Sequence, residues 1–168
     1  MRFLRDALIT LVVLILVVGV VVYARVARGG LSTDDPPGTF EESIAKRLVR
    51  LSIPSDAKRQ TNPHASNAWA WREAEHHFVD HCAVCHGENG RGDTEIGRNM
   101  YPRVPDLADP AIQRMSDGDL FYVIQNGVRW TGMPGWKSEH DEQETWHLVS
   151  FVRHVASGSS HRSEGTPH

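Results

Sequence analysis

Only two cysteines occur in the 168 residues, Cys82 and Cys85, and both lie in one short motif. No long-range disulfide framework can be drawn from them, and the redox compartment has to be argued from other features. A structural zinc site of the four-ligand kind lacks its second cysteine pair, and His147 and His154 lie too far apart in sequence to replace it at the usual spacing. Strand-forming alternation is also missing: there is no convincing strand ladder, no βαβ pattern around the cysteines and no internal repeat. A thioredoxin-like redox pair therefore has no scaffold here. The net charge is only −3, but its distribution is uneven. From Asn62 to Ala156 there are 8 Lys plus Arg against 14 Asp plus Glu, whereas Arg25 to Thr61 holds 7 against 5. An acidic domain behind a mildly basic neck disfavours nucleic acid and favours a basic protein surface as partner.

What the chain does have begins at its N-terminus. Ala7 to Ala24 is an uncharged apolar run of 18 residues, enough to cross most of a bilayer core of about 30 Å. It reads as one spanning helix. The competing reading is a cleaved leader, since Val22-Tyr23-Ala24 resembles a small-residue cleavage site, but the run exceeds the usual leader core. Arg2 and Arg5 nearly balance Arg25 and Arg28, so flanking charge leaves the orientation open. The expected organisation is a membrane anchor over 1–28, a linker over 29–65, a folded domain over 66–157 and a disordered polar tail over 158–168. Within the linker, Phe40, Ile44, Leu48 and Leu51 recur at helical spacing, with Lys46, Arg47 and Arg50 among them. A short amphipathic helix over Phe40 to Ser52 follows, packed on its own domain or lying on a membrane or partner, with Pro54 ending it.

The folded part reads as all-α. Ser66 is the expected N-cap of a helix over Asn67 to His81, with Trp71, Ala74 and Phe78 on one face. Glycines from Gly87 to Gly97 and the run Tyr101-Pro102-Arg103-Val104-Pro105 predict irregular structure. Ser116 with Asp119 opens a second helix that Gly127 closes, and Asp141 with Glu144 opens a third that ends near Ser157-Gly158. Short helices and long loops in a domain of about 90 residues bury too little apolar surface to offset chain entropy unless something else fills the core.

Cys82-Ala83-Val84-Cys85-His86 is the c-type haem attachment signature. Two thiols on one helical turn present to the same side, so both can form thioethers with the vinyl groups of one porphyrin, and the adjacent His86 imidazole can reach the iron. Zinc, a dithiol and a plain Cys82–Cys85 disulfide are the competing readings, and none supplies the missing core. For the sixth ligand the chain offers Met100, Met115 and Met133. Met133 is favoured because Thr131-Gly132-Met133-Pro134-Gly135-Trp136 couples close backbone approach to a stiffened strap. Another methionine, a histidine (His140 and His147 foremost) or an open position are the alternatives. The other histidines read as surface or tail residues.

CxxCH followed by Gly, a later Pro-x-Leu, the Gly-Met-Pro strap and flanking helices resemble class I cytochrome c in its bacterial, membrane-anchored form, over about Ser66 to Ala156. The resemblance implies a cytochrome c-like fold around one covalent haem c, with His86 and Met133 as iron ligands and the Pro105 carbonyl accepting from the proximal histidine. It also implies that Ala74 and Phe78 on the first helix meet Phe151 on the last. Ala74 stands where the family usually has Gly. Trp130, Tyr101 and Arg103 are candidate donors to the haem propionates or ordinary loop residues. The role implied is a one-electron carrier of a respiratory chain, not an enzyme, on the periplasmic side of the cytoplasmic membrane. Its redox partners would be a reductase or dehydrogenase donor and an oxidase-like acceptor. A fixed cytochrome subunit of a dehydrogenase or oxidase complex is the alternative, and a haem sensor or enzyme a more distant one.

Overall fold

The computed structural model describes residues 2–29, 37–67 and 69–162, with side chains of the last helix as far as residue 157. It is helical, and among the described residues there is no strand. The chain divides into two compact units, Met1–Asp35 and Pro36–His168. In the first, α1 (Arg2–Gly29) runs 28 residues with no buried side chain, about 42 Å at 1.5 Å per residue. It is long and apolar enough to cross a membrane.

The second unit holds α2 (Thr39–Ser52), α3 (Ser55–Lys58), α4 (Ala70–His77), a π-helical turn (Phe78–Cys82) and α5 (Ala83–His86). After these come α6 (Glu95–Asn99), α7 (Pro110–Gln113), α8 (Asp117–Asn126) and α9 (Glu142–Arg162). The core is the crossing of α4 on α9. Ala74 is 1% exposed, and opposite it Phe78 lies on Phe151 with ring centroids 4.4 Å apart. Leu107, Leu120, Trp146, Leu148, Val149 and Val152 complete the cluster. Burying each aromatic contributes about 1.5–3 kcal/mol, so the expected meeting of Ala74 and Phe78 with Phe151 is the main apolar bond of the domain.

Local capping fixes the ends of the later helices. At α8 the Ser116 hydroxyl accepts from Asp119 N and the Asp119 carboxylate accepts from Ser116 N, and Gly127 closes the helix at φ 69°. Asp141 and Glu144 make the same reciprocal pair at α9, at 2.8 and 3.0 Å. Each pair satisfies amides that the first turn leaves without partners. Arg153 on α9 then gathers α7 and α8, donating to Asp117 Oδ1 at 2.8 Å, Met115 O at 2.7 Å and Gln113 O at 3.0 Å. Buried Gln125 on α8 donates to Thr145 Oγ1 on α9 at 2.5 Å.

Three expectations are corrected. Ser66 is not the first cap: regular helix begins at Ala70, because Asn67 folds back in a turn whose Oδ1 accepts from Trp69 N at 3.0 Å. At the other end α9 runs on to Arg162; Gly158 does not stop it, since a glycine inside a helix costs only about 1 kcal/mol. The larger correction concerns the linker. Ile53, Ala57 and Asn62 are buried at 3%, 8% and 8% exposure, and Asn62 donates to Trp146 O at 3.1 Å and Ser150 Oγ at 2.8 Å. The packed domain therefore starts near Ile53 rather than at residue 66. Pro54 does end α2, leaving Ile53 extended, as the residue before a proline prefers. Yet α2 itself buries nothing. Phe40, Ile44, Leu48 and Leu51 are all exposed, so packing of that stripe on its own domain is excluded. The helix is held by Tyr101 Oη donating to Glu41 at 2.5 Å and Lys58 Nζ donating to Arg50 O at 2.6 Å.

The approach of residues 53–60 to α8 depends on Gly118, where a Cβ would overlap the Ala57 carbonyl oxygen. Gly118→Ala should lower the unfolding free energy by about 1–3 kcal/mol, the cost of overpacking a rigid contact. Urea denaturation of the two proteins checks this, and an unchanged midpoint would remove residues 53–60 from the folded domain.

Candidate haem site

The attachment motif is built at the end of a continuous helical path from Ala70 to His86. Its middle is the π turn Phe78–Cys82, whose extra residue per turn sets the direction in which Cys82 leaves the helix. Cys82 and Cys85 are free and partly buried. Burial, and then the neighbouring Cys85, push the Cys82 thiol up to about 11. The surroundings of the free Cys82 thiol thus disfavour its thiolate form. Among the described residues, the three-donor group that could hold a metal ion is His77, His81 and His140, and it contains neither cysteine.

His86 closes α5. Burial pushes its imidazole below the ordinary histidine range, while the Pro105 carbonyl acts in the opposite direction as an acceptor. Nδ1 is nevertheless buried without a hydrogen bond of ordinary geometry. A histidine that uses Nε2 as a metal ligand normally gives Nδ1–H to a backbone carbonyl, and Pro105 is where such an acceptor stands. The loop that brings it there folds over the motif. Gly92 N donates to His86 O at 2.7 Å, and Leu107 N donates to Gly90 O at 2.8 Å. Gly92 has φ 69°, and a Cβ there would overlap the Val104 carbonyl, so only glycine lets the 104–105 backbone come this close.

Thr94 was not singled out from sequence and is central to this loop. Its hydroxyl bridges the Val84 and Cys85 carbonyls at 3.0 and 3.1 Å and accepts from Gly97 N at 2.8 Å. A threonine three residues before a glycine in a short helical stretch was the available signal, since it matches an N-cap.

Met133 lies on a strap anchored to the C-terminal end of α8. Trp136 N and Lys137 N donate to Ile124 O and Gln125 O at 3.0 and 3.2 Å, satisfying carbonyls that the helix end leaves open. Met133 is then held on both sides of its own peptide: its N–H donates to Thr131 Oγ1 at 3.2 Å, and its carbonyl accepts from Val128 N at 3.1 Å. A thioether can be presented from a fixed point there. Met100 comes closer to the strap than its sequence position suggests, with its Sδ and Cε packed where a Gly132 side chain would be. Two sulfurs therefore occupy this neighbourhood. The other candidates are elsewhere: Met115 packs against the core cluster, and His147 Nδ1 lies 3.2 Å from Glu73. His140 sits against His77, His81 and Trp136. Tyr101 gives its hydroxyl to Glu41, while Arg103 and Trp130 are exposed, the latter at φ 61°.

A family model described as cytochrome C oxidase, cbb3-type, subunit III matches residues 70–152. Residues 70–152 are a c-type cytochrome domain. The cbb3-type cytochrome c oxidase subunit FixPc of Rhizobium leguminosarum bv. viciae is 34% identical over 83 residues, covering 49% of this chain and 26% of that protein. FixP of Rhizobium etli is 35% identical over 83 residues with the same coverage. FixP of Rhizobium meliloti is 32% identical over 82 residues, covering 48% and 26%. The chain thus spans about a quarter of the length of these curated relatives, and the likeness is one of the cytochrome domain alone. Haem c is the cofactor this family implies, and the donor set fits it: two partly buried thiols on one turn, an adjacent half-buried imidazole with an unmet Nδ1, and a thioether on a clamped strap.

Away from the motif, His140 is an acid-sensitive group of this domain. Burial first, and then the nearby His77, lower the affinity of His140 for a proton below its usual 6.5, with Glu144 opposing. A histidine depressed in the folded state keeps its full stability above the unfolded value and loses it as pH falls through the folded one. The thermal midpoint should therefore drop as pH is lowered below 6.5, and His140→Gln should flatten that dependence. Equal slopes for the two proteins in calorimetry would assign the acid loss to other groups.

Proposed function

We propose that this chain is a membrane-tethered, monohaem c-type cytochrome that carries one electron at a time between respiratory components on the outer face of the cytoplasmic membrane. The observation that supports it most is the grouping of Cys82, Cys85 and His86 at the end of a bulged helix, roofed by the Pro105 loop, inside a c-type cytochrome domain. When bound, the haem supplies an iron that alternates between ferric and ferrous states. Cys82 and Cys85 would hold it through thioether bonds, His86 and Met133 would ligate its iron, and the Pro105 carbonyl would orient the His86 imidazole. With a histidine and a thioether both bound, no position would be left for a substrate, and thioether ligation favours the ferrous state, so the role is transfer rather than catalysis. α1 anchors the chain, and the excess of 14 acidic over 8 basic residues between Asn62 and Ala156 suits donors and acceptors with basic docking faces.

A second reading is favoured by α2. Phe40, Ile44, Leu48 and Leu51 form an apolar stripe that the domain leaves uncovered, as expected of a cytochrome fixed in a larger oxidoreductase; the relatives' names point the same way. Protein solubilised from membranes in mild detergent separates the two. A native mass of this chain alone supports the mobile carrier, and a stoichiometric assembly holding additional haems supports the subunit.

The haem assignment is tested on protein produced with a haem-attachment system. Intact mass should rise by one haem, and the oxidised spectrum should show the Met–Fe charge-transfer band. Met133→Ala should abolish the band and lower the potential while leaving the mass unchanged, whereas Met100→Ala should retain it. Loss of the band in Met100→Ala alone would move the sixth ligand to Met100. Absence of any covalent haem would overturn the proposal.

A further inference from the structure

His77, the last residue of α4, and His81, in the π turn, stand four residues apart and project from one face. His140 reaches the same point from the segment that precedes α9, and one ligand atom from each histidine lies within 4.8 Å of the other two. The His140 ring is 5.2 Å from that of His77 and 5.3 Å from that of His81, nearly perpendicular to the first. Its burial is what distinguishes the cluster. His140 is 3% exposed, and both its ring nitrogens are buried with no hydrogen-bond partner. A buried histidine normally satisfies at least one nitrogen. Glu144 faces the group as well, with Oε1 3.7 Å from His77 Nε2 and Oε2 3.6 Å from His140 Nδ1. Both separations exceed a good hydrogen bond.

We propose that His77, His81 and His140 bind a divalent ion of the zinc class, with the Glu144 carboxylate or a water as fourth ligand. The donor chemistry selects the ion: imidazole suits zinc and its neighbours, whereas calcium and magnesium take oxygen ligands. Zinc–nitrogen bonds of about 2.0–2.1 Å place ligand nitrogens about 3.4 Å apart in a tetrahedron, so the trio closes up on binding. Exposed His81 and half-exposed His77 are free to rotate inward, and buried His140 is the fixed point. His81 and half-exposed His77 also leave the ion a way in. Once bound, the ion joins the helix that carries Cys82 to the start of α9. Trp136 of the methionine strap lies 5.3 Å from the His81 ring and 5.7 Å from that of His140, so the ion also fixes the trailing end of the strap.

The test uses the full chain with haem attached, stripped of loose metal by a chelator and titrated with zinc against a chromogenic zinc indicator. One zinc per chain is expected. His81→Gln and His140→Gln should each weaken binding by more than about 100-fold, since even outer-shell partners of metal sites account for 10–100-fold. His76→Gln should bind as the parent does, because His76 pairs with Asp80 at 3.0 Å outside the trio. His81 is exposed, so its replacement tests the site even where His140→Gln fails to fold. Absence of stoichiometric zinc overturns the site. Binding that survives His81→Gln also overturns it, and would assign the zinc to another group.

Discussion

Ala74 carries no more than a methyl group, and this lets α4 approach α9 closely enough for Phe78 to lie on Phe151 at 4.4 Å. Nearly every other placement in the domain is referred to that crossing. α9 presents Arg153 to collect α7 and α8, Thr145 to receive Gln125, and a backbone carbonyl and hydroxyl to receive Asn62. α4 leads directly through the π turn into the two cysteines and His86. The haem motif is thus an extension of the best-packed helix, while the methionine strap is an extension of α8, and α9 holds the two helices in register.

Between those fixed points the chain is irregular, and its backbone groups are satisfied by close approach rather than by regular structure. The loop over His86 works this way: Gly92 and Leu107 donate into it, Thr94 bridges two carbonyls of the motif, and the Pro105 carbonyl is left facing the His86 imidazole. A small domain with loops of this kind has little apolar surface of its own to bury, and the haem c that the family implies is a large flat group of the kind that would supply the remainder. The same economy explains why a short segment ahead of α4, from Ile53 to Asn62, is drawn into the fold.

Sequence carried the local features well. The caps at Ser116 and Asp141, the stop at Gly127 and the Ala74–Phe78 face are all readable because each depends on residues within a turn or two of one another, and the structure places them as read. What it hid was long-range or aperiodic. The burial of Ile53, Ala57 and Asn62 depends on Gly118 and on α9, residues far along the chain. The π turn has no periodic signature, and the start at Ala70 depends on an Asn67 turn that competes with helix. The meeting of His77 and His81 with His140 follows only once α9 lies across α4; the four-residue spacing of the first two was visible, and their partner was not.

The π turn makes the length of this helix as restrictive as its composition. Each residue of an ordinary α-helix advances the azimuth by about 100°. Removing or adding one residue between Ala74 and Cys82 would therefore swing both sulfurs and His86 away from the Pro105 loop while leaving the Ala74 face in place. Phe78–Cys82 absorbs one residue of such a phase difference already. Among otherwise similar chains, insertions and deletions in this stretch should be rarer than substitutions, because a changed side chain alters one contact whereas a changed count re-aims the entire motif.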